Sequence, residues 1–259
     1  MSETTSKISV RGLRKSFGSK NVLSGVDFDI EQGKSLVVIG GSGTGKSVLL
    51  KCILGLITPD AGEILIDGVD ILKLSPFERS RKTRQIGMLF QGAALFDSLK
   101  VWENIAFRLI YGEGKASGPS RAIAVDRLAQ VGLPAEVANL SPAELSGGMQ
   151  KRVALARAIA ADPKILFFDE PTTGLDPITA DVINRLIVDR VKAVGATAIS
   201  ITHDMVSARK IADEIAMLYQ GRIVWRGPAS DILSSGNPYV DQFVNGRAEG
   251  PIKMALKSA

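Results

Sequence analysis

The chain of 259 residues is 45% hydrophobic and 23% charged, which excludes a disordered protein and allows a substantial core in one large domain or two packed lobes. The formal net charge of +5 fits an anionic partner, such as a nucleotide, a nucleic acid or an acidic membrane surface, without choosing among them. The single cysteine, Cys52, excludes an internal disulfide. The sequence shows no signal peptide and no apolar run of the roughly 18 residues that cross a bilayer, so we expect another polypeptide to supply any membrane-spanning part.

The first 70 residues are predicted to be rich in β-strands. Apolar and acidic residues alternate over positions 26–30, which is the period of a half-buried strand. Leu36–Ile39 is a continuous apolar run that stops at a glycine cluster, as a buried parallel strand does. The mostly apolar stretch Val48–Leu54 predicts a helix, and Glu63–Ile66 followed by Asp67–Gly68 predicts a strand and a tight turn.

From about residue 93 to residue 160 the pattern becomes mostly helical. Apolar residues recur at helical spacing over positions 124–131, and Gly132 is a typical helix end. The polar and glycine-containing stretch Glu113–Ser120 predicts a flexible loop.

Strands and helices alternate again after Pro163. Ile165–Phe168 predicts a buried strand, positions 183–191 one face of a helix, and Thr197–Thr202 the next strand. This alternation implies a parallel sheet with helices on its faces. Because the helical block interrupts the sheet, we expect that block to form a lobe of its own.

The sequence matches the phosphate-loop pattern G-x-x-x-x-G-K-[ST] between a predicted strand and a predicted helix. Its residues are Gly40, Gly41, Ser42, Gly43, Thr44, Gly45, Lys46 and Ser47. The glycines let main-chain N–H groups close around phosphate oxygens, and the helix N-terminus adds partial positive charge. We expect Lys46 to pair with the terminal phosphates and Ser47 to offer its hydroxyl to Mg²⁺. The alternative is a glycine-rich structural turn.

Two acids, Asp169 and Glu170, end the apolar strand at the edge where ligands bind to open parallel sheets. We expect Asp169 to hold the Mg²⁺ shell and Glu170, facing the other way, to act as general base or to polarise the attacking water. His203, the only histidine, follows the next strand and is predicted to hydrogen-bond the terminal phosphate and orient water. The alternatives are an acid pair that caps a turn and a structural histidine.

A second cradle, Ser146-Gly147-Gly148, precedes the predicted amphipathic helix Met149–Ala160. A serine and two glycines at a helix N-terminus resemble another anion site. Because the chain already has one phosphate loop, we expect this cradle to contact a nucleotide bound by a second copy of the chain. The alternative is an ordinary serine N-cap.

In their order along the chain, these motifs resemble those of the nucleotide-binding subunits of ABC (ATP-binding cassette) transporters, over roughly residues 7–230. The phosphate loop alone is shared with many NTPases, and the Leu-Ser-Gly-Gly cradle separates this family from them. The resemblance implies an α/β P-loop NTPase fold with a RecA-like parallel sheet core, an N-terminal antiparallel β subdomain and an inserted helical subdomain. It also implies ATP hydrolysis with ATP and Mg²⁺ as the cofactors.

The same resemblance implies a division of the chain and roles for further residues. The ATP-binding domain would cover residues 7–237, with a catalytic core of residues 7–92 and 161–237, a helical subdomain of residues 93–160 and a C-terminal tail of residues 238–259. Phe17 looks like the aromatic residue that stacks on adenine, Gln91 the one that senses Mg²⁺ and water, and Asp176 the one that reaches across the dimer. The alternatives are an aromatic residue packed on the β lobe, an ordinary loop amide and the start of a turn.

One position departs from the family pattern. Most members have Gln directly after the Gly-Gly pair, where this chain has Met149. Gln150 follows, but its direction on the helix is about 100° away. The contact that the usual Gln makes is therefore left open.

Within the family, the chain resembles the ATPase subunits of bacterial Mla-type phospholipid transporters. The similarity is carried by residues 88–96, the Leu-Ser-Gly-Gly-Met form, residues 176–179 and the tail segment 242–251. It implies an integral membrane permease, an MCE-domain lipid-binding protein and a peripheral place on the cytoplasmic face of the bacterial inner membrane. The alternative for the tail is a disordered end.

The resemblance further implies a homodimer in which two copies pack head to tail. Each of two ATP molecules would lie between one copy's phosphate loop and the cradle of the other, so that hydrolysis weakens the contact and moves the permease. The expected docking surface is the groove between lobes beside Gln91, lined by the apolar stretch Ala93–Trp102. The alternative is internal packing of the helical lobe.

Other functions are alternatives to lipid transport. A soluble ABC ATPase of DNA repair, translation or cofactor assembly fits the basic charge, but the chain lacks long coiled-coil insertions and tandem cassettes. The basic cluster of residues 79–84 has no interleaved aromatic residues, so we predict no nucleic-acid partner. An ABC ATPase for another substrate is a further alternative. A non-catalytic nucleotide-binding module is the last, and intact Lys46, Asp169, Glu170 and His203 argue against it.

Overall fold

The computed structural model describes residues 6–253, which divide into two compact units. The terminal unit comprises Ser6–Ile30, Ser35–Lys73 and the described residues from Ile201 onward. The central unit comprises Glu31–Lys34 and Leu74–Ser200. Within the described range, none of the helices combines the length and the hydropathy that crossing a bilayer requires.

Ten strands and eight α-helices are described between residues 6 and 253. The strands are β1 (Ser6–Phe17), β2 (Lys20–Glu31), β3 (Ser35–Ile39), β4 (Ala61–Ile66), β5 (Val69–Asp70), β6 (Ile86–Leu89), β7 (Ile165–Asp169), β8 (Thr197–Ile201), β9 (Glu214–Tyr219) and β10 (Arg222–Pro228). The α-helices are α1 (Lys46–Ile53), α2 (Pro76–Thr83), α3 (Val101–Phe107), α4 (Ser117–Gln130), α5 (Gly147–Ile159), α6 (Pro177–Val194), α7 (Met205–Ile211) and α8 (Pro238–Val244). Short 3-10 helices cover Ala135–Asn139, Pro142–Glu144 and Ala229–Ser234, and a π-helical stretch covers Arg108–Gly112.

The terminal unit contains an antiparallel sheet in the order β2-β1-β4-β5, with Ile8 of β1 opposite Ile66 of β4. The alternating apolar residues of β2 are buried, which confirms the predicted half-buried strand. Asp67 and Gly68 have φ angles of 51° and 73° and form the predicted turn between β4 and β5. The fully buried β3 pairs in parallel with β9, which pairs antiparallel with β10, so the predicted buried parallel strand is confirmed.

The central unit contains strands in the order β8-β7-β6, and β6 and β7 are parallel with Ile86 opposite Ile165. Phe167 and Phe168 of β7 are fully buried and contribute two of the largest side chains of the core. Between β6 and β7, where every residue is described, the regular elements are all helical, as the sequence pattern predicts. Parallel strands joined through helices confirm the α/β fold class.

One predicted loop and one alternative for the tail do not match the structure. The predicted loop Glu113–Ser120 is too long, because α4 begins at Ser117. Pro119 lies in the first turn of α4, where the N–H group that proline lacks would have no helical partner, so it does not stop the helix. In the tail, α8 and the residues after it are folded as far as residue 253, which contradicts a disordered end over that range.

Candidate functional site

The phosphate loop lies between β3 and α1 in the terminal unit. Gly40 and Gly45 have φ angles of 150° and 105°, which disfavour other residues. A Cβ atom on Gly40 would lie 2.4 Å from the carbonyl oxygen of Leu218, and one on Gly45 would lie 2.9 Å from that of Val22. Only glycine fits these two positions. The packing of the loop therefore requires glycine at two positions of the phosphate-loop pattern.

The start of α1 is suited to binding an anion. Its N-cap, Gly45, has no side chain to accept from the first N–H groups, and no acidic residue lies in the first turn. Lys46 is buried, and its Nζ donates to the carbonyl oxygens of Gly40 at 2.7 Å and Gly41 at 2.9 Å. The Lys46 ammonium group therefore lies across the loop. The next residue, Ser47, is exposed.

Strand β7 carries the two acids at its end in the central unit. Asp169, its last residue, is partly exposed after four buried residues. Glu170 has φ 49°, a left-handed conformation that costs a non-glycine residue about 1–3 kcal/mol. Thr173 donates from Oγ1 to Oε2 of Glu170 at 3.0 Å. The direction of Glu170 is therefore set by this turn and not by the strand alternation assumed from sequence.

Gln91, two residues beyond β6, is exposed. Its carbonyl oxygen accepts a hydrogen bond from Nζ of Lys151, which also donates to the carbonyl oxygen of Glu170 at 3.4 Å. Burial lowers the pKa of the Lys151 ammonium, and the negative charges of Asp169 and Glu170 oppose that shift. The Lys151 ammonium group thus bonds to the main chain of both Gln91, which is predicted to sense Mg²⁺ and water, and Glu170, which is predicted to activate the attacking water.

Sequence reasoning missed Lys151. The available signal was its place on the buried face of α5, at helical spacing from Leu155 and Ala158. Lysine is rarely buried without partners, so a lysine on an apolar helix face indicates a specific set of acceptors.

The Leu-Ser-Gly-Gly cradle forms the start of α5 in the central unit. Ser146 is the N-cap, and its Oγ accepts from the Met149 N–H group at 3.3 Å. A Cβ atom on Gly148 would lie 2.8 Å from Cγ2 of Thr179 in α6, so close packing of the two helices favours glycine there. Ser146 and Gly147 are exposed, which leaves the helix N-terminus open to an external ligand.

Gln150 is occupied within its own protomer. Its Nε2 donates to the carbonyl oxygens of Pro142 at 3.1 Å and Leu145 at 3.3 Å. The side chain therefore braces the turn that leads into the cradle. In this arrangement Gln150 does not extend outward with Ser146.

Phe17 and His203 belong to the terminal unit. Phe17, at the end of β1, is 49% exposed, and Nζ of Lys15 lies 5.4 Å from its ring centroid. An exposed aromatic face beside a cation is suited to stacking on a base. His203 is exposed just after β8, and the following Asp204 is the N-cap of α7.

Asp176 is the N-cap of α6. Its Oδ1 accepts from the N–H groups of Ile178 and Thr179 at 3.0 Å each. Hydrogen bonds from Thr179, followed by the bond from Ile178, lower the pKa of the Asp176 carboxyl. The side chain is exposed and anionic at neutral pH, so capping accounts for one of its oxygens and leaves charge at the surface.

The predicted site residues are divided between the two units. The terminal unit contains Phe17, Gly40, Gly41, Ser42, Gly43, Thr44, Gly45, Lys46, Ser47 and His203. The central unit contains Gln91, Ser146, Gly147, Gly148, Asp169, Glu170 and Asp176. Each unit thus carries one of the two helix N-termini at which the sequence predicts an anion, α1 in the first and α5 in the second.

The chain is similar to several known transport proteins. A family model described as ABC transporter matches residues 23–173. The chain is 43% identical to the probable ribonucleotide transport ATP-binding protein mkl of Mycobacterium leprae, over 96% of this chain and 71% of that protein. It is 37% identical to the intermembrane phospholipid transport system ATP-binding protein MlaF of Escherichia coli K12, over 95% of this chain and 91% of that protein.

Solved structures give the same result. The dimeric ATP-binding cassette MJ0796, in a post-hydrolysis state bound to ADP and Pi, superposes with a TM-score of 0.78 at 32% identity, covering 86% of this chain and 98% of that one. The cbiO1 protein of Clostridium perfringens, part of the ABC transporter complex cbiONQ, superposes with a TM-score of 0.81 at 28% identity, covering 94% and 96%. This chain therefore belongs to the ABC transporter family.

Proposed function

We propose that the chain is the ATP-hydrolysing subunit of a bacterial ABC transporter that moves phospholipid in the cell envelope. The observation that carries ATP binding is the phosphate loop, with two glycines that admit no Cβ atom, Lys46 across the loop and an open helix N-terminus behind it. The phospholipid assignment is supported by the 37% identity to a protein named for intermembrane phospholipid transport, 91% of which is covered.

In this proposal the loop N–H groups and Lys46 bind the terminal phosphates, and Phe17 stacks on adenine. Glu170 accepts the proton of the attacking water, with its carboxylate oriented by Thr173. His203 donates a hydrogen bond toward the terminal phosphate. The cradle Ser146–Gly148 contacts the nucleotide of a second copy, and Asp176 supplies an exposed carboxylate to the same homodimer contact.

The proposed metal is Mg²⁺. Its candidate ligands are the Ser47 hydroxyl, the Gln91 amide oxygen and one Asp169 carboxylate, which are the hard oxygen donors that Mg²⁺ prefers. Among residues 6–253 no group of three or more His, Cys, Asp or Glu is placed to hold a metal ion. Bound there, Mg²⁺ would neutralise charge on the transferred phosphoryl group.

The proposed partners are a membrane permease and an MCE-domain lipid-binding protein at the cytoplasmic face of the inner membrane. The segment Ala93–Trp102 is the proposed permease contact. Its Phe96 is 43% exposed and stacks on Phe107 with ring centroids 4.5 Å apart. The fully buried Asn104 bonds to the N–H and carbonyl groups of Phe96 and so fixes the main chain that carries this ring. A preformed apolar surface of this kind suits a partner helix.

The division of the chain follows from these roles. We propose a catalytic core of residues 7–92 and 161–237, a helical subdomain of residues 93–160 that carries the cradle, and a C-terminal tail of residues 238–259. The proposed domain as a whole, residues 7–237, contains every residue to which a role in ATP hydrolysis is assigned.

Two candidate substrates are to be distinguished, phospholipid and ribonucleotide, because the relative from Mycobacterium leprae is named for ribonucleotide transport. The test is to purify the chain with its co-expressed membrane partners, identify bound lipid by mass spectrometry and measure ATP-dependent transfer of fluorescent phospholipid between vesicles. Phospholipid transfer that stops in the Glu170→Gln complex supports the proposal. Transfer of radiolabelled ribonucleotide without transfer of lipid would overturn the substrate, leaving the ATPase assignment intact.

A further inference from the structure

Two cations of helix α5 bind the chain segment that follows β6. We call residues 91–94 the Gln91 segment. Lys151 donates to the carbonyl oxygen of Gln91, and Arg157 donates to those of Ala93 at 2.6 Å and Ala94 at 2.7 Å. Three of the four carbonyl groups in the segment therefore accept a charged donor from one helix. Charge-assisted hydrogen bonds of this type are the stronger ones in proteins.

The segment has a main-chain conformation that requires such support. Ala93 and Ala94 have φ angles of 60° and 49°, and two consecutive left-handed alanines are unfavourable on their own. Arg157 holds both of their carbonyl groups. The Gln91 segment is therefore fixed to α5 by long-range contacts and not by its local sequence preference.

Lys151 differs from Arg157 because it also bonds to a residue outside the Gln91 segment. The same Nζ donates to the carbonyl oxygen of Glu170 at 3.4 Å. Lys151 is only 6% exposed, and a buried ammonium is costly unless its hydrogen bonds are satisfied. Gln91 and Glu170 lie 79 positions apart in the sequence, and one side chain joins their main chains.

We propose that Lys151 is a positioning residue for ATP hydrolysis, which fixes the spacing between Gln91 and Glu170 by bonding to the main chain of both. This inference rests on the proposed roles of those two residues. Lys151 acts through them and binds no phosphate itself. Lys151 lies five residues after Ser146, about 7.5 Å along the axis of α5, so this helix connects the cradle to the bonds with Gln91 and Glu170.

The test measures turnover and nucleotide affinity separately in the full-length chain. The substitution Lys151→Met keeps most of the side-chain volume and removes the donor. We expect kcat for ATP to fall about tenfold to a hundredfold, because small misplacements of catalytic groups cost rates of that order. We expect the ATP dissociation constant to stay within about twofold, since Lys151 is not among the nucleotide contacts. Lys151→Arg, which restores a cationic donor, is expected to recover most of the lost kcat.

The matched control is Arg152→Met on the next position of the same helix. Arg152 also donates to a main-chain carbonyl, that of Gly132 at 3.1 Å. This bond involves neither Gln91 nor Glu170. Its kcat is expected to equal that of the wild type. Equal losses of kcat in the two variants, or a parallel loss of ATP affinity in Lys151→Met, would overturn the inference.

Two further variants separate this inference from the proposed function. If Lys151→Met does not fold, as judged from its melting temperature, Lys151→Gln keeps a neutral donor and is expected to show an intermediate kcat; wild-type kcat in that variant would overturn the inference. An inactive Glu170→Gln together with a fully active Lys151→Met contradicts only the positioning role. A fully active Glu170→Gln contradicts the catalytic assignment, and the inference about Lys151 fails with it.

Discussion

Glu170 combines an unusual main-chain conformation with a fixed side chain. Its φ of 49° is unfavourable for a residue with a Cβ atom, and the bond from Thr173 orients one carboxylate oxygen. Strain of this kind is retained where the surrounding structure determines the conformation, and it is common in active sites. The residue is therefore the natural position at which to separate ATP binding from hydrolysis.

Glu170→Gln is expected to keep ATP affinity and to lose turnover, because the amide retains the shape of the carboxylate but is not a base. ATP should then hold two copies together as a stable dimer. Phosphate release and light scattering with ATP and Mg²⁺ measure the two effects. Rapid hydrolysis by this variant would remove Glu170 from the catalytic role.

Lys46→Ala is expected to weaken ATP binding by about tenfold to a hundredfold, since hydrogen bonds to charged groups contribute about 1.5–3 kcal/mol. A titration with a fluorescent ATP analogue measures the change. Lys51→Ala, on an exposed lysine of the same helix, is the control and should bind as the wild type does. Unchanged affinity in Lys46→Ala would refute the phosphate-loop assignment.

At the scale of elements, the C-terminal segment after α8 depends on one buried amide. Gln242 is 6% exposed, its Nε2 donates to the carbonyl oxygens of Arg247 and Ile252, and its Oε1 accepts from the Ile252 N–H group at 2.7 Å. A Cβ atom on Gly250 would lie 2.3 Å from that same Oε1, so the chain passes directly over the amide. One side chain therefore replaces the regular hydrogen bonding that this segment lacks.

Gln242→Leu is expected to release residues 247–252, because main-chain groups of Arg247 and Ile252 lose their hydrogen-bond partner while the side-chain volume is kept. Limited proteolysis with trypsin should then cut after Arg247 at a much higher rate than in the wild type. The control is Asn245→Ala. It removes a side-chain amide at the end of α8 that bonds to Asp241, and it should not expose the cleavage site after Arg247. Equal cleavage rates in the wild type and Gln242→Leu would show that other contacts hold the segment.

At the scale of the whole molecule, the homodimer is expected to share its sites between copies. The α5 N-terminus has no acidic residue in its first turn and an exposed Ser146, so it can contact an anion presented from outside the protomer. If each ATP uses one copy's phosphate loop and the cradle of the other, two different inactive variants can complement each other.

Mixing the inactive variants Lys46→Ala and Ser146→Arg is expected to restore ATP hydrolysis. Heterodimers formed from them keep one site in which both contributions are intact. Roughly a quarter of the wild-type rate should return, since about half of randomly mixed dimers are heterodimers with one of two sites intact. A mixture of Lys46→Ala with the double variant Lys46→Ala/Ser146→Arg has no intact site and is the control. Absence of recovery in the first mixture would contradict head-to-tail sharing.

The sequence by itself determined the motifs and most of the strands and helices. Periods of 2 and 3.6 residues, glycine patterns and strand-end acids are local signals, so β2, β3, β7 and the phosphate loop could be predicted from neighbouring residues. The start of α4 was placed wrongly because a Gly-Pro pair breaks a helix interior but is tolerated in its first turn.

Only the tertiary structure decided which side chains hold these motifs in place. Lys151 meets Gln91 and Glu170 across 60 and 19 positions of sequence, and Arg157 meets Ala93 across 64. The left-handed turn at Glu170 was likewise absent from any local pattern. Such contacts depend on how buried elements pack against one another, and this packing cannot be predicted from residue spacing along the chain.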